Sequence, residues 1–197
     1  MKFDFVEIGT SDFDTNLNIK KPNEKILLVE PISDYLGKLP EGRNIVKAHF
    51  SISDKNGEEK MFYVKEAIIK KYGFPDWIRG CNSLGKKHVT VVRLLKEWKL
   101  PKDLISVENV RVLSFENLIY LYDISQIGFL KIDTEGHDHI ILKSVLDCLG
   151  RKMVKIDKIQ FEFNDAFGNT KKLFKLIGSF AFYFKNITQL KDNIIME

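Results

Sequence analysis

The residues able to do chemistry are acids and glycines that follow short hydrophobic runs. The first run ends in Glu7-Ile8-Gly9-Thr10-Ser11-Asp12 and the second at Glu30. A later run ends in Asp133-Thr134-Glu135-Gly136-His137-Asp138, and another carries Glu162 and Asn164. A glycine straight after a strand lets the backbone turn sharply and lets a ligand approach it closely. Glu30 stands 23 residues beyond Glu7, near the ~20-residue spacing at which an acid meets a ribose diol. Ligands of open α/β sheets bind at the carboxyl ends of the strands, so these groups would share one rim. Carboxylates crowded there repel one another, and a cationic or donor-rich ligand relieves the repulsion. A sulfonium attached to a ribose diol has both properties. Each piece has a plainer meaning: a glycine after a strand is most often a simple turn, and an acid before proline, as in Glu30-Pro31, a strand terminus. Their conjunction carries the argument.

Hydrophobic periodicity supplies the elements that position these groups. Strands are expected over Lys2–Ile8, Lys25–Glu30 and Asn44–Phe50. The run Ser53-Asp54-Lys55-Asn56-Gly57 is turn chemistry, so Glu58–Val64 should return as the second strand of a hairpin. Pro75 and the glycines at 73, 80 and 85 break up residues 66–106, although Val89–Trp98 has helical spacing. Glu108–Leu113 reads as a strand, and Ser114 suits the cap of a helix over Phe115–Leu121. Ile127–Ile132 predicts a buried strand and Gly136–Leu149 a helix stopped by Gly150. Further on come a strand over Lys158–Phe163, a helix over Asn169–Ile177 and strands over Ser179–Phe184 and Gln189–Ile195. A helix after the first turn would end at Lys21, because Pro22 follows. Strands alternating with helices imply an α/β fold with a mostly parallel central sheet. The closing strands imply an antiparallel edge, and the hairpin is an insertion.

Composition sets the limits. The 197 residues are 44% hydrophobic and 29% charged, which suits one globular domain and excludes a disordered tail or a disulfide scaffold. Cys81 and Cys148 are too few for a framework or a zinc cage and read as reduced thiols. The net charge of +4 is small and its basic residues are scattered, which argues against nucleic acid as partner. No run reaches the ~20 apolar residues of a membrane span. Lys2, Asp4 and Glu7 interrupt the apolar start, so no signal peptide is read and a cytoplasmic protein is expected.

The blocks FVEIGTSDFDT, LLVEP, AHFSISDKNG, CNSL, VRVLSFENLI, FLKIDTEGHDHIIL and IQFEF occur in the order found in FkbM-type methyltransferases, and the chain resembles that family from Phe3 to about Phe184. LKIDTEGHDHIIL is the most specific piece, matching the family's lysine-hydrophobic-aspartate-x-glutamate-glycine run. The resemblance implies a Rossmann-like class I methyltransferase fold that uses S-adenosylmethionine. It implies that Glu7 and Gly9, with Thr10, Ser11 and Asp12 in the same turn, hold the methionine and sulfonium end. Glu30 would bind the ribose hydroxyls, and the segment Ser51–Asp54, with Ser53 inside it, would lie beside the adenine. Asp133 would face the cofactor amine or the acceptor, and Glu135 and His137 belong to the signature turn. Asp133 and His137, with Glu135 behind them, are the candidate catalytic residues for O-methylation of a hydroxyl on a sugar or other small molecule.

The chain also departs from the family. A second glycine and a small residue are usual in the first turn, where Thr10, Ser11, Asp12 and Phe13 stand. The N-terminal helix that covers the cofactor in many relatives has no counterpart before Lys2, so residues 66–106, with Tyr72, Phe74, Trp77 and Trp98, are expected to cover the substrate. Competing readings are a metal-assisted variant using Asp133, Glu162 and Asn164, an RNA methyltransferase, and a module that binds cofactor or a protein without chemistry. No divalent metal is required by the sequence. The missing glycine-x-glycine-x-x-glycine turn argues against a plain dinucleotide dehydrogenase.

Overall fold

A computed structural model describes residues 1–10, 23–163 and 168–197. The helix expected after the first turn and ending at Lys21 lies outside the described residues. The chain opens with β1 (Lys2–Ile8) and β2 (Ile26–Val29), followed by α1 (Ser33–Lys38), β3 (Ile45–Ala48), β4 (Ser51–Ser53) and β5 (Gly57–Tyr63). Next come α2 (Glu66–Tyr72), a 3-10 turn (Asp76–Gly80), β6 (Ser83–Leu84), α3 (Val89–Glu97) and β7 (Ser106–Ser114). Then follow α4 (Phe115–Leu121), β8 (Gln126–Ile132), α5 (Asp138–Gly150), β9 (Lys155–Glu162), α6 (Thr170–Phe180), β10 (Ile187–Leu190) and β11 (Asn193–Met196).

Seven strands form one sheet in the order β10-β11-β9-β8-β1-β2-β3. The pairs from β9 through β3 are parallel, and β10 and β11 close the edge antiparallel, so the α/β architecture is the one the alternation implies. β1 and β2 are nearly continuous apolar runs because both faces of a central parallel strand are covered: Phe3, Phe5, Val6 and Ile8 are all buried, as is every residue of β2. The face that packs on α5 meets its stripe of Ile141, Leu142, Val145, Cys148 and Leu149. Both cysteines are buried free thiols.

A second sheet, β4-β7-β5-β6, stands beside the first, and here the expected hairpin is corrected. β4 and β5 do not pair with each other. β7 lies between them, parallel to β4 and antiparallel to β5. The turn between them wraps the end of β7, where the Asn56 Oδ1 accepts from the Ser114 N–H at 2.9 Å. The run read as Asn44–Phe50 accordingly splits, its first part in one sheet and the residues beyond it leading into the other.

Other boundaries also move. Glu135 and Gly136 have positive φ, so α5 starts at Asp138 rather than Gly136. Gly150 is its last helical residue, and Lys152 takes the left-handed turn. Ser179–Phe184 is not a strand: Phe180 and Phe184 lie one helical turn apart with rings 6.1 Å from each other, and the Phe184 N–H still bonds the Phe180 carbonyl. The single strand over Gln189–Ile195 is a hairpin, turning at Lys191, where φ is +54°. Ser114 caps α4 as its type suggests, accepting from the Asn117 N–H at 3.1 Å.

Residues 66–106 pack around a small core of their own, with Val64, Ile69, Phe74, Ile78, Val91, Leu95 and Ile105. There the Tyr72 ring stacks on Phe74, and Phe74 meets Trp98 at a tilt. Trp77 alone of the four aromatics reaches the site described below.

Between β1 and β8 runs a buried ion pair: Lys131 and Glu7 are register neighbours, with Nζ 2.8 Å from Oε1. Removing one partner strands a charge in the core. Lys131→Met should therefore cost ~3–5 kcal/mol in urea unfolding, while the double variant Glu7→Leu/Lys131→Met recovers most of it. Equal losses in the single and double variants would contradict a coupled pair.

Candidate active site

The strand order reverses between β1 and β8: the chain leaves β1 toward β2 and β3, then returns to the other side at β8. Loops leaving two such strands diverge and open a crevice at their carboxyl ends. A cavity of about 260 Å³ lies there, walled by Gly9 and Thr10 after β1, Glu30 after β2, Ser51 on β4, the loop after β8 and Glu162 at the end of β9. Phe50, Ile52 and Met61 add apolar wall, and Trp77, Asn82 and Leu84 close it from the 66–106 segment.

Gly9 is where glycine is indispensable. Its φ is +80°, and a Cβ on it would sit 1.9 Å from the Asp133 carbonyl oxygen. The first turn and the loop after β8 thus touch backbone to backbone. Beside them the Glu30 carboxylate is only 3% exposed. Its Oε1 accepts from the Ile32 N–H at 2.8 Å, and its Oε2 from the Thr10 hydroxyl at 3.4 Å. These bonds fix its direction, and a carboxylate with about four acceptor positions can take further donors from the cavity.

At the other end Asp133, Glu135 and Glu162 bring carboxylate oxygens within 4.8 Å of one another. Lys131 offsets part of this charge, its Nζ lying 3.5 Å from Asp133 Oδ2. An oxygen-only set suits a hard cation. Glu135 joins Asp133 and Glu162 in it, whereas Asn164 lies outside the described residues. Cys81, His88 and Glu135 form a second close group. There His88 Nδ1 accepts from the Thr90 N–H at 3.2 Å, so Nε2 carries the proton and donates to Glu135 Oε2 at 2.9 Å. That protonated nitrogen has no lone pair for a metal, and burial, with Glu135 and Glu162 nearby, pushes the Cys81 thiol up to about 12. Two wall residues, Thr134 and Asn82, keep a buried side-chain oxygen without a hydrogen-bond partner among the described residues, which suits a wall built for a hydrogen-bonding occupant.

Of the residues singled out from sequence, Gly9, Thr10, Glu30, Ser51, Asp133, Glu135 and His137 line this one cavity. Glu7 does not; it lies buried against Lys131. Ser53 and Asp54 also stand off the wall: Ser53 reaches His137, and Asp54 accepts from Ser53. The Ser53 hydroxyl lies 2.8 Å from His137 Nε2 and 3.2 Å from Asp54 Oδ1. Ser11 and Asp12 fall outside the described residues. Sequence reasoning missed His88 and Asn82 as parts of the site. The only signal for His88 was its place directly before the helical run at Val89, where a cap belongs.

Burial, with His139 adding to it, pushes His137 down to about 4. A histidine kept neutral in the fold and free to charge when unfolded loses stability as pH falls from 6.5 toward 4. Burial pushes Asp138 the other way, to about 7, with Glu135 adding to it and backbone N–H groups of the loop opposing. Its contribution is present below about 4 and fades as pH rises through 7. Relative to wild type, His137→Gln should thus gain in Tm on going from pH 7 to 5, and Asp138→Asn should gain on going from pH 5 to 8. Parallel Tm curves for all three proteins would contradict these environments.

Comparison with known proteins gives one match: the model of the methyltransferase FkbM domain matches residues 6–191. No similar curated protein and no similar solved structure is found. The match runs from within β1 to just past β10 and takes in every residue of the cavity wall, and the order β3-β2-β1-β8-β9 with its antiparallel edge is the Rossmann-like sheet such a domain requires. The chain belongs to the FkbM family of methyltransferases, which take their methyl group from S-adenosylmethionine.

Proposed function

We propose that the chain methylates a hydroxyl of a sugar or another small molecule, with the acceptor held at the carboxylate end of the cavity. The observation that carries this reading is that Glu30 and the Asp133–His137 loop face one cavity at the switch point of the sheet. The cofactor supplies an electrophilic methyl group on a sulfonium. The residues present fit it. Glu30, an acceptor of fixed direction, suits the two ribose donors. Phe50 and Ile52 offer apolar surface to the adenine with Ser51 beside them, and Gly9 admits close backbone contact. The negative end of the cavity suits the positive sulfonium and amine.

The protein's work is then to align an acceptor oxygen about 3 Å from the methyl carbon and to handle its proton. Asp133, His137 and Glu135 are the residues proposed to share these two tasks, alignment and proton removal. A wall rich in acceptors favours an acceptor molecule with many hydroxyl donors and disfavours RNA, whose phosphates would meet like charge. Trp77, 46% exposed at the cavity wall, offers a flat apolar face to a ring, in keeping with the 66–106 segment as substrate cover.

The three close carboxylates favour one second reading, in which a divalent cation binds Asp133, Glu135 and Glu162 and polarises a diol. Activity lost in chelator and restored by Mg²⁺ would select it; chelator-insensitive turnover would remove it.

Titration calorimetry with S-adenosylhomocysteine tests the main reading. Wild type should bind in the micromolar range, and Glu30→Ala should weaken binding ~10-fold or more, about 1.4 kcal/mol, with its fold verified by circular dichroism. Asp133→Asn and His137→Ala should lose turnover on an acceptor drawn from a panel of hydroxylated sugars. No binding by wild type, or full turnover by both variants, would contradict the proposal.

A further inference from the structure

His88 reaches the signature loop from outside the parallel sheet, and its geometry is more specific than a helix cap needs. The imidazole is 4% exposed and both its nitrogens are used. Nδ1 accepts from the Thr90 N–H at the start of α3, and Nε2–H donates to Glu135 Oε2. One neutral tautomer satisfies both bonds, and rotation of the ring breaks both. Glu135, at the other end, has a left-handed backbone with φ of +50°, a conformation kept only where the surroundings hold it. It lines the cavity with Asp133 and Glu162.

We infer that Glu135 takes the proton of the acceptor hydroxyl and that His88 is the positioning residue that aims it. The inference rests on the methyl-transfer reading above. In that transfer the acceptor oxygen forms the new O–C bond and the S–C bond breaks, leaving its electron pair on sulfur. The hydroxyl proton passes to Glu135 Oε1, the oxygen not bonded to His88, and then to solvent. The neighbours are less suited to the task. Asp133 lies within reach of the Lys131 ammonium. His137 has Nε2 engaged by Ser53. Cys81 is not among the residues that wall the cavity. A neutral donor such as His88 orients a carboxylate without neutralising it.

Two substitutions separate the two bonds of His88. In His88→Asn the side-chain oxygen can still cap α3 but is too short to reach Glu135. In His88→Gln the amide reaches Glu135 but leaves the cap position poorly filled. Glu135 is followed by carboxyl ¹³C NMR in glutamate-labelled protein, its signal identified by its loss in Glu135→Gln. His88→Asn should melt close to wild type yet shift or broaden the Glu135 signal, and should lower kcat ~10-fold or more with little change in KM, as loss of an aimed base does. His88→Gln should melt lower yet recover the wild-type signal and most of the turnover. If signal and turnover instead follow Tm, with Asn like wild type and Gln defective, His88 is a helix cap and the inference is wrong. The NMR arm needs neither cofactor nor acceptor: an unchanged Glu135 signal in His88→Asn overturns the inference even if product binding succeeds, and a changed one supports it even if product binding fails.

Discussion

The site depends on a backbone contact. Gly9 at the end of β1 and the Asp133 carbonyl at the end of β8 approach so closely that no side chain fits between them. That contact lies at the place where the strand order reverses, so the two loops leaving it part company and open the cavity. The Asp133 N–H bonds the Ile8 carbonyl at 2.9 Å, and two residues earlier on each strand the buried Lys131–Glu7 pair ties the same two strands together. A shift of one residue between β1 and β8 would break this pair and turn every side chain on β8 to the opposite face. The floor of the site is thus set by strand pairing and one ion pair, while its walls are set by side chains that the floor presents.

Those walls divide by chemistry. One part, with Glu30, Phe50, Ser51 and Ile52, combines a fixed acceptor with apolar surface, as a nucleoside needs. The other, with Asp133, Glu135 and Glu162, concentrates negative charge beside the Lys131 ammonium. The segment containing Trp77, Asn82 and His88 has its own small core and meets the loop after β8 through the His88–Glu135 bond. A unit that the parallel sheet does not organise thus closes one side of the cavity and holds a carboxylate that the sheet presents.

The parallel core was legible from sequence because its signals are local: the short apolar run Ile26–Val29, stopped by Pro31, suits a strand covered on both faces, and Gly9 after Ile8 marks the turn. Glu30 and Asp133 were placed on one rim by a rule about strand ends, and both line the cavity. What sequence did not reveal rests on non-local pairing. Nothing in Ser53–Gly57 says that β7, some fifty residues later, inserts beside the turn. Nothing in Glu7 says that its partner is Lys131 rather than a ligand. Ser53 meets His137 only because α5 begins near β4. His88 stayed invisible because histidine is a rare helix cap and its second partner lies 47 residues away. The run Ser179–Phe184 misled because its aromatic residues fit a strand's alternation as well as a helical turn at Phe180 and Phe184.

The central claim is that one end of the cavity is a nucleoside site and the other a transfer site. A crystal structure with S-adenosylhomocysteine tests it most directly. The account predicts both ribose hydroxyls within hydrogen-bond distance of the Glu30 carboxylate, the adenine beside Phe50 and Ser51, and the sulfur turned toward Asp133 and Glu135. A ligand bound elsewhere, or one whose ribose contacts side chains other than Glu30, would contradict it.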